Sequence, residues 1–114
     1  MNTLVKDPIA WTDIGAVTDI PRRGARRVPS PRGVLAVFRT GDNEVYALVD
    51  SCPHKRGPLS EGIVHGRSVT CPLHGRIIDL MSGEFMGADK GDGCAETIAL
   101  KVEDGRILVG MERS

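Results

Sequence analysis

The chain lacks the long apolar runs and the charge excess that identify several classes of protein. Its longest uninterrupted apolar run covers residues 34–38, which is far too short to cross a bilayer. Fifteen Lys and Arg residues balance fifteen Asp and Glu residues, and this zero net charge argues against a general nucleic-acid binder. The first nine residues show no basic-then-apolar signal pattern. We therefore expect a cytoplasmic protein with no membrane or nucleic-acid partner.

Motifs for catalysis and for nucleotide binding are also missing. The sequence offers no Ser/His/Asp set for nucleophilic catalysis. It has no Gly-rich phosphate loop following a strand, so nicotinamide and flavin would have to bind to another chain. We expect no catalytic residue here and no enzymatic activity from this chain alone.

The secondary-structure pattern is one of short strands separated by Gly, Pro, Asp and Asn turns, which predicts an all-β fold. The predicted strands cover residues 11–14, 25–28, 34–39, 45–49, 67–70, 77–80, 97–102 and 106–109. Tight turns are predicted at residues 41–43 and 103–105. A chain of 114 residues suffices for one domain with one modest core. We expect a base formed by residues 10–50 and 81–110, with an insertion at about residues 51–80 that carries the site.

Two Cys/His motifs carry most of the functional information. Cys52 and His54 form a C-x-H motif. After sixteen intervening residues, Cys71 and His74 form a C-x₂-H motif. This is the ligand set of a Rieske [2Fe–2S] centre, in which two Cys hold one iron and two His hold the other. A mononuclear zinc site explains the pattern less well, because common zinc spacings pair Cys with Cys and His with His. The third cysteine, Cys94, has no partner for a structural disulfide.

Several further segments share a pattern with one family. They lie at residues 20–26, 36–40, 52–55, 57–66, 69–74, 78–80, 83–84, 91–94 and 101–106. On these segments, about residues 10 to 110 resemble the small subunit of assimilatory NAD(P)H-dependent nitrite reductase. The resemblance implies a Rieske-type fold, an antiparallel β base sandwich or barrel with a cluster-binding subdomain of two ligand loops. It also implies one [2Fe–2S] cluster per chain, bound by Cys52, His54, Cys71 and His74.

The same resemblance implies a partner and a role. The partner would be a large subunit carrying FAD, an iron–sulfur cluster and sirohaem, and the complex would reduce nitrite to ammonium. A free Rieske ferredoxin that delivers electrons to an aromatic-ring dioxygenase is the first alternative, because such ferredoxins share much of the frame. The neutral charge favours the subunit, since a diffusing shuttle tends to be acidic. A structural or regulatory subunit with a vestigial cluster is the second alternative, and the four retained ligands argue against it.

Residues after the second motif bear on the reduction potential. High-potential Rieske proteins have a Ser and a Tyr where this chain has Arg76 and Ile78, and an extra Cys pair where it has Gly57 and Leu73. Ile78 cannot donate a hydrogen bond from its side chain, and Arg76 is expected to point to solvent. Fewer donors to the cluster sulfurs stabilise the reduced state less, so we expect a potential of the lower, ferredoxin type.

The remaining conspicuous residues have ordinary interpretations. His65 is expected to be a turn or surface histidine, and Cys94 a small buried hydrophobe. The arginines at positions 22, 23, 26 and 27 are interpreted as a solvated face, with docking to an acidic partner as the alternative.

Overall fold

The computed structural model describes residues 9–31, 33–51, 58–72, 75–87 and 95–112. These residues form ten strands and two short 3₁₀ turns, at Val17–Asp19 and Leu59–Glu61. The strands are β1 (Ile9–Ala16), β2 (Gly24–Ser30), β3 (Gly33–Arg39), β4 (Val45–Val49), β5 (Ile63–His65), β6 (Ser68–Thr70), β7 (Ile77–Asp79), β8 (Thr97–Ile98), β9 (Leu100–Glu103) and β10 (Arg106–Glu112). The predicted all-β fold is confirmed. The described residues contain no helix long and apolar enough to cross a membrane.

The strands are arranged in three antiparallel sheets. The base sheet has the order β1-β10-β9, the middle sheet β2-β3-β4-β8, and the small sheet β5-β6-β7. Two strand predictions need correction. β5 was not predicted, because only Val64 of its three residues is buried and the pattern is too short to recognise. The single strand predicted over residues 97–102 divides into β8, which pairs with β4, and β9, which pairs with β10.

The middle sheet is buried on both faces, as β3 shows most clearly. Leu35 and Val37 pack into a core with Ile107 of the base sheet. Ala36 and Phe38 point to the opposite face and pack into a second core. Successive side chains of a strand alternate between faces, so a strand covered on both sides reads as a continuous apolar run. This explains the apolar residues 35–38, whereas Val34 at the start of the run is exposed.

The second core joins the small sheet to the middle sheet. The small sheet contributes Val64, Val69 and Ile78, each buried to within a few per cent of its surface. The other members are Ala36, Phe38, Leu48, Leu59, Cys71, Leu80, Phe85 and Ala95. Burial of a side chain such as Leu, Ile or Phe stabilises a fold by about 1.5–3 kcal/mol. Apolar packing therefore fixes the small sheet to the middle sheet.

The predicted hairpin between β9 and β10 is confirmed in its conformation. Asp104 and Gly105 form a two-residue turn, and both have positive φ angles, of 51° and 77°. This combination is characteristic of the type I′ turn, whose twist matches that of antiparallel strands. The turn closes the base sheet at the end where Val17 donates a hydrogen bond to the Gly105 carbonyl.

Candidate metal centre

One of the four predicted ligands, Cys71, lies within the described residues. It directly follows β6, is only 1% exposed and belongs to the second core. The other predicted ligands, Cys52, His54 and His74, lie outside the described residues, as does Cys94. The geometry of the site is therefore built from Cys71 and from the residues that flank the two motifs.

The residues flanking the two motifs meet at one end of the small sheet. The chain leaves the first motif through the turn at Leu59–Glu61 and enters β5 at Ile63. Ile63 pairs with Thr70, the last residue of β6 before Cys71. Thr70 in turn pairs with Ile77, where β7 begins after the second motif. Antiparallel pairing thus places β6, which leads into the second motif, between β5, which follows the first motif, and β7, which follows the second.

Gly62 allows the backbone before β5 to lie close to β6 at this end of the sheet. A Cβ atom on Gly62 would lie 2.2 Å from the Thr70 carbonyl oxygen and 2.9 Å from a Val69 methyl carbon. Heavy atoms do not approach this closely, so only glycine fits beside β6 at this position. The two motif-bearing segments are therefore packed backbone against backbone, one residue before Cys71.

Backbone hydrogen bonds join Cys71 to the residues that follow the second motif. The Cys71 N–H donates to the Arg76 carbonyl at 2.7 Å, and the Gly75 N–H donates to the Cys71 carbonyl at 3.0 Å. Gly75 has φ +69°, a left-handed conformation that glycine adopts without a steric penalty. These two bonds fix the backbone of Cys71 and bring residues 75 and 76 back against it.

A third segment runs along β7 toward the same end. Phe85 forms a bridge with Ile78, and the Met86 N–H donates to the Ile77 carbonyl at 2.8 Å. The Arg76 guanidinium lies over the Phe85 ring, 5.4 Å from its centre, and Arg76 is half-buried. The expectation that Arg76 points to solvent is therefore wrong, because the Phe85 ring, nine residues further along the chain, attracts its cation. Ile78 is fully buried in the second core.

The first motif is bracketed by a contact that the sequence analysis missed. Asp50 precedes the motif, Ser60 follows it, and the Asp50 carboxylate accepts hydrogen bonds from both the backbone N–H and the hydroxyl of Ser60. Arg27 of β2 donates to the same carboxylate. The sequence did place an acidic residue, Asp50, two positions before the predicted ligand Cys52. Nothing in the sequence identified Ser60 and Arg27 as its partners.

The other singled-out residues have structural partners. His65 is exposed at the end of β5 and its Nε2 lies 2.8 Å from the Thr70 hydroxyl oxygen, so the expected surface position is confirmed. Arg26 donates to the Ile14 carbonyl at 2.8 Å, and Arg27 bonds to Asp50. All four clustered arginines are exposed, as expected for a solvated face, and two of them also make contacts within the fold.

The described part of the site fits a metal bound through Cys71. A thiolate buried in an apolar core is unfavourable unless a cation is close by, and a metal ion would supply that charge. Two thiolates and two imidazoles, as predicted from the motifs, would hold a [2Fe–2S] centre with mixed ligation. Elsewhere in the described ranges, no three His, Cys, Asp or Glu side chains are grouped as metal ligands.

Comparison with known proteins identifies the family of the chain. The family model of the Rieske [2Fe-2S] domain matches residues 10–98. The anthranilate 1,2-dioxygenase ferredoxin subunit of Burkholderia cepacia is 40% identical over 105 residues, which cover 89% of this chain and 92% of that protein.

Solved structures share the fold. A chain in the complex of reduced oxygenase and oxidized ferredoxin in carbazole 1,9a-dioxygenase superposes with a TM-score of 0.78 and 30% identity, covering 91% of this chain and 95% of that one. A protein of Mycobacterium tuberculosis, provisionally named NADH-dependent nitrite reductase small subunit, superposes with a TM-score of 0.82 and 24% identity, covering 95% and 100%. From its Cys/His motifs, its three-sheet fold and its match over residues 10–98, the chain belongs to the Rieske [2Fe–2S] family and carries the cluster of that family.

Proposed function

We propose that this chain is the ferredoxin component of an aromatic-ring dioxygenase system, passing electrons one at a time to a Rieske oxygenase. The observation that carries the proposal is the 40% identity to the anthranilate 1,2-dioxygenase ferredoxin subunit of Burkholderia cepacia, over 92% of that protein. The neutral net charge had favoured a reductase subunit. It weighs less than this identity, because recognition depends on the charges in the contact surface and not on their sum over the molecule.

The proposed ligands are Cys52, His54, Cys71 and His74. The burial of Cys71 and the convergence of the flanking segments at one end of the small sheet support this assignment. When bound, the cluster supplies one-electron transfer. The chain itself holds the Cys71 backbone through its bonds with Arg76 and Gly75, and excludes water from the inner side of the site through the second core.

The second candidate is the small subunit of assimilatory nitrite reductase. The segments that resemble that family support it, and the fold shared with the provisionally named Mycobacterium tuberculosis protein is compatible with it. At 24% identity the structural likeness speaks for the fold alone. In this case the partner would be the large subunit with FAD, an iron–sulfur cluster and sirohaem. For either candidate we propose a cytoplasmic location, where the unpaired third cysteine would stay reduced.

The two candidates predict different partners, and capture followed by electron transfer separates them. The tagged holoprotein should retain an oxygenase from its native host, identified by mass spectrometry. Reduced holoprotein should then be re-oxidised by that purified oxygenase in the presence of an aromatic substrate and oxygen. The apoprotein is the matched control and should give no turnover. Retention of a sirohaem flavoprotein, with nitrite-dependent re-oxidation, would instead support the nitrite reductase subunit.

The reduction potential should lie in the lower part of the Rieske range, at about −150 to 0 mV. The reason is that Ile78 is apolar and buried, while Arg76 stacks on Phe85, so neither position supplies a hydroxyl donor to the cluster sulfurs. The potential should change little between pH 6 and 8, since a more electron-rich iron acidifies its imidazole ligands less. Protein-film voltammetry measures both quantities, and a midpoint well above about +100 mV would contradict the argument.

A further inference from the structure

The carboxylate of Asp50 is fully shielded from solvent and receives three hydrogen bonds. Its Oδ1 accepts from the Ser60 backbone N–H at 2.7 Å. Its Oδ2 accepts from the Ser60 hydroxyl at 2.8 Å and from Arg27 Nε at 3.0 Å. The Asp50 side chain is 0% exposed, whereas that of Arg27 is 59% exposed. A carboxylate is removed from water only where donors of this kind replace its hydration.

The bonded residues belong to different parts of the fold. Asp50 follows β4, and its N–H donates to the Val34 carbonyl at 2.8 Å, which fixes it to the middle sheet. Ser60 lies in the 3₁₀ turn that leads to the small sheet, next to Leu59, which is fully buried. The carboxylate therefore joins the middle sheet to the small sheet at the point where the chain leaves one and enters the other.

The joined residues also enclose the first motif in the sequence. Cys52 and His54 both lie between Asp50 and Ser60. Closing a segment before a ligand binds removes conformational freedom that binding would otherwise have to remove, so a closed segment binds more tightly. A hydrogen bond to a buried charged group is also costly to break, because the charge is left without its donor.

We propose that Asp50 and Ser60 are positioning residues that close the segment bearing the first pair of cluster ligands. Arg27 completes the contact by balancing the carboxylate charge from β2. This inference deepens the proposed function: it rests on Cys52 and His54 as ligands, and it holds for either candidate partner. The residues act through the backbone of the segment, so their loss changes the retention and the electronic environment of the cluster.

The test compares cluster loss in holoprotein variants. In Ser60→Ala the hydroxyl bond to Asp50 is missing, and we expect the cluster to be lost to an iron chelator about tenfold faster. The visible absorbance follows the loss, and the electron paramagnetic resonance spectrum of the reduced protein should broaden. Ser60→Thr keeps the hydroxyl and should restore both readouts. Asp50→Asn should have a larger effect, because an NH2 group replaces one of the two acceptor oxygens and faces a donor in either orientation, and the charge that pairs with Arg27 is lost.

The chain offers a matched control in a second Asp–Ser contact. The Ser82 hydroxyl donates to Asp79 Oδ2 at 2.8 Å, and the Ser82 N–H bonds to the same oxygen, in the turn after β7. Ser82→Ala removes a bond of the same type away from the first motif, and the rate of cluster loss should stay within about twofold of wild type. Equal rates for Ser60→Ala and Ser82→Ala would overturn the proposal. So would a lower melting temperature for Ser60→Ala with an unchanged rate and spectrum.

The experiments distinguish failure of the positioning role of Asp50 and Ser60 from failure of the ligand assignment. If His54→Ala retains the wild-type iron content and spectrum, the ligand assignment is wrong, and the positioning role falls with it. If His54→Ala loses the cluster while Ser60→Ala and Asp50→Asn behave as wild type, only the positioning role is wrong.

Discussion

Replacing Cys71 with alanine should abolish binding of the cluster. Wild-type protein should be red-brown, with about two irons and two acid-labile sulfides per chain. Cys71→Ala removes one of only two thiolates proposed for the first iron, and the alanine methyl group cannot ligate a metal. Loss of this thiolate leaves an open coordination position on the iron. The variant should therefore be colourless, with less than about a tenth of the wild-type iron. Iron and sulfide analysis with visible spectroscopy provides the measurement.

The third cysteine provides the control for this experiment. Cys94→Ala also removes a thiol, but Cys94 is not among the proposed ligands, so its iron and sulfide content should match wild type. Circular dichroism should show β structure in both variants, which separates loss of the cluster from loss of the fold. Retention of the full cluster by Cys71→Ala, or its loss from Cys94→Ala, would show that the ligand assignment is wrong.

Replacing Gly62 with alanine should destabilise the fold by about 3 kcal/mol or more. The added methyl group would lie 2.2 Å from the Thr70 carbonyl oxygen, and this neighbour is backbone that cannot rotate away. Either β5 or β6 must shift, and Thr70 directly precedes Cys71, so the cluster should also be held less firmly. Equilibrium denaturant unfolding, followed by circular dichroism, measures the change in free energy.

Gly41→Ala is the matched substitution. The three heavy atoms nearest to a Cβ atom on Gly41 all belong to the Arg23 side chain, the closest at 3.1 Å, and that flexible side chain can move aside. We expect its free energy of unfolding to stay within about 1 kcal/mol of wild type. Similar stabilities for Gly62→Ala and Gly41→Ala would contradict the close approach of the two backbones.

The parts of the structure that could be predicted from sequence are those with a local signal. Cys52, His54, Cys71 and His74 form two short motifs, and the β9–β10 hairpin has its Asp-Gly turn. β5 gave no such signal, because one buried residue in three does not make a recognisable period. Its place is determined by pairing with β6 and by the core beneath it.

Contacts between distant residues could not be predicted either. Arg27 and Asp50 are 23 positions apart, and the Arg76 guanidinium reaches a ring nine residues along the chain. Each of these side chains alone is compatible with a solvated surface, and only the folded backbone brings it to its partner. The choice between a ferredoxin and a reductase subunit lies further out of reach, since it depends on which protein recognises the surface.

Because β3 is buried on both faces, its odd- and even-numbered residues pack into different cores. Odd-numbered positions such as Leu35 and Val37 face the base sheet, and even-numbered positions such as Ala36 and Phe38 face the core that supports the metal centre. Two adjacent residues in one strand thus serve different halves of the protein. A substitution at an odd-numbered position of β3 therefore alters packing against the base sheet. A substitution at the next position alters packing in the core beneath the metal centre.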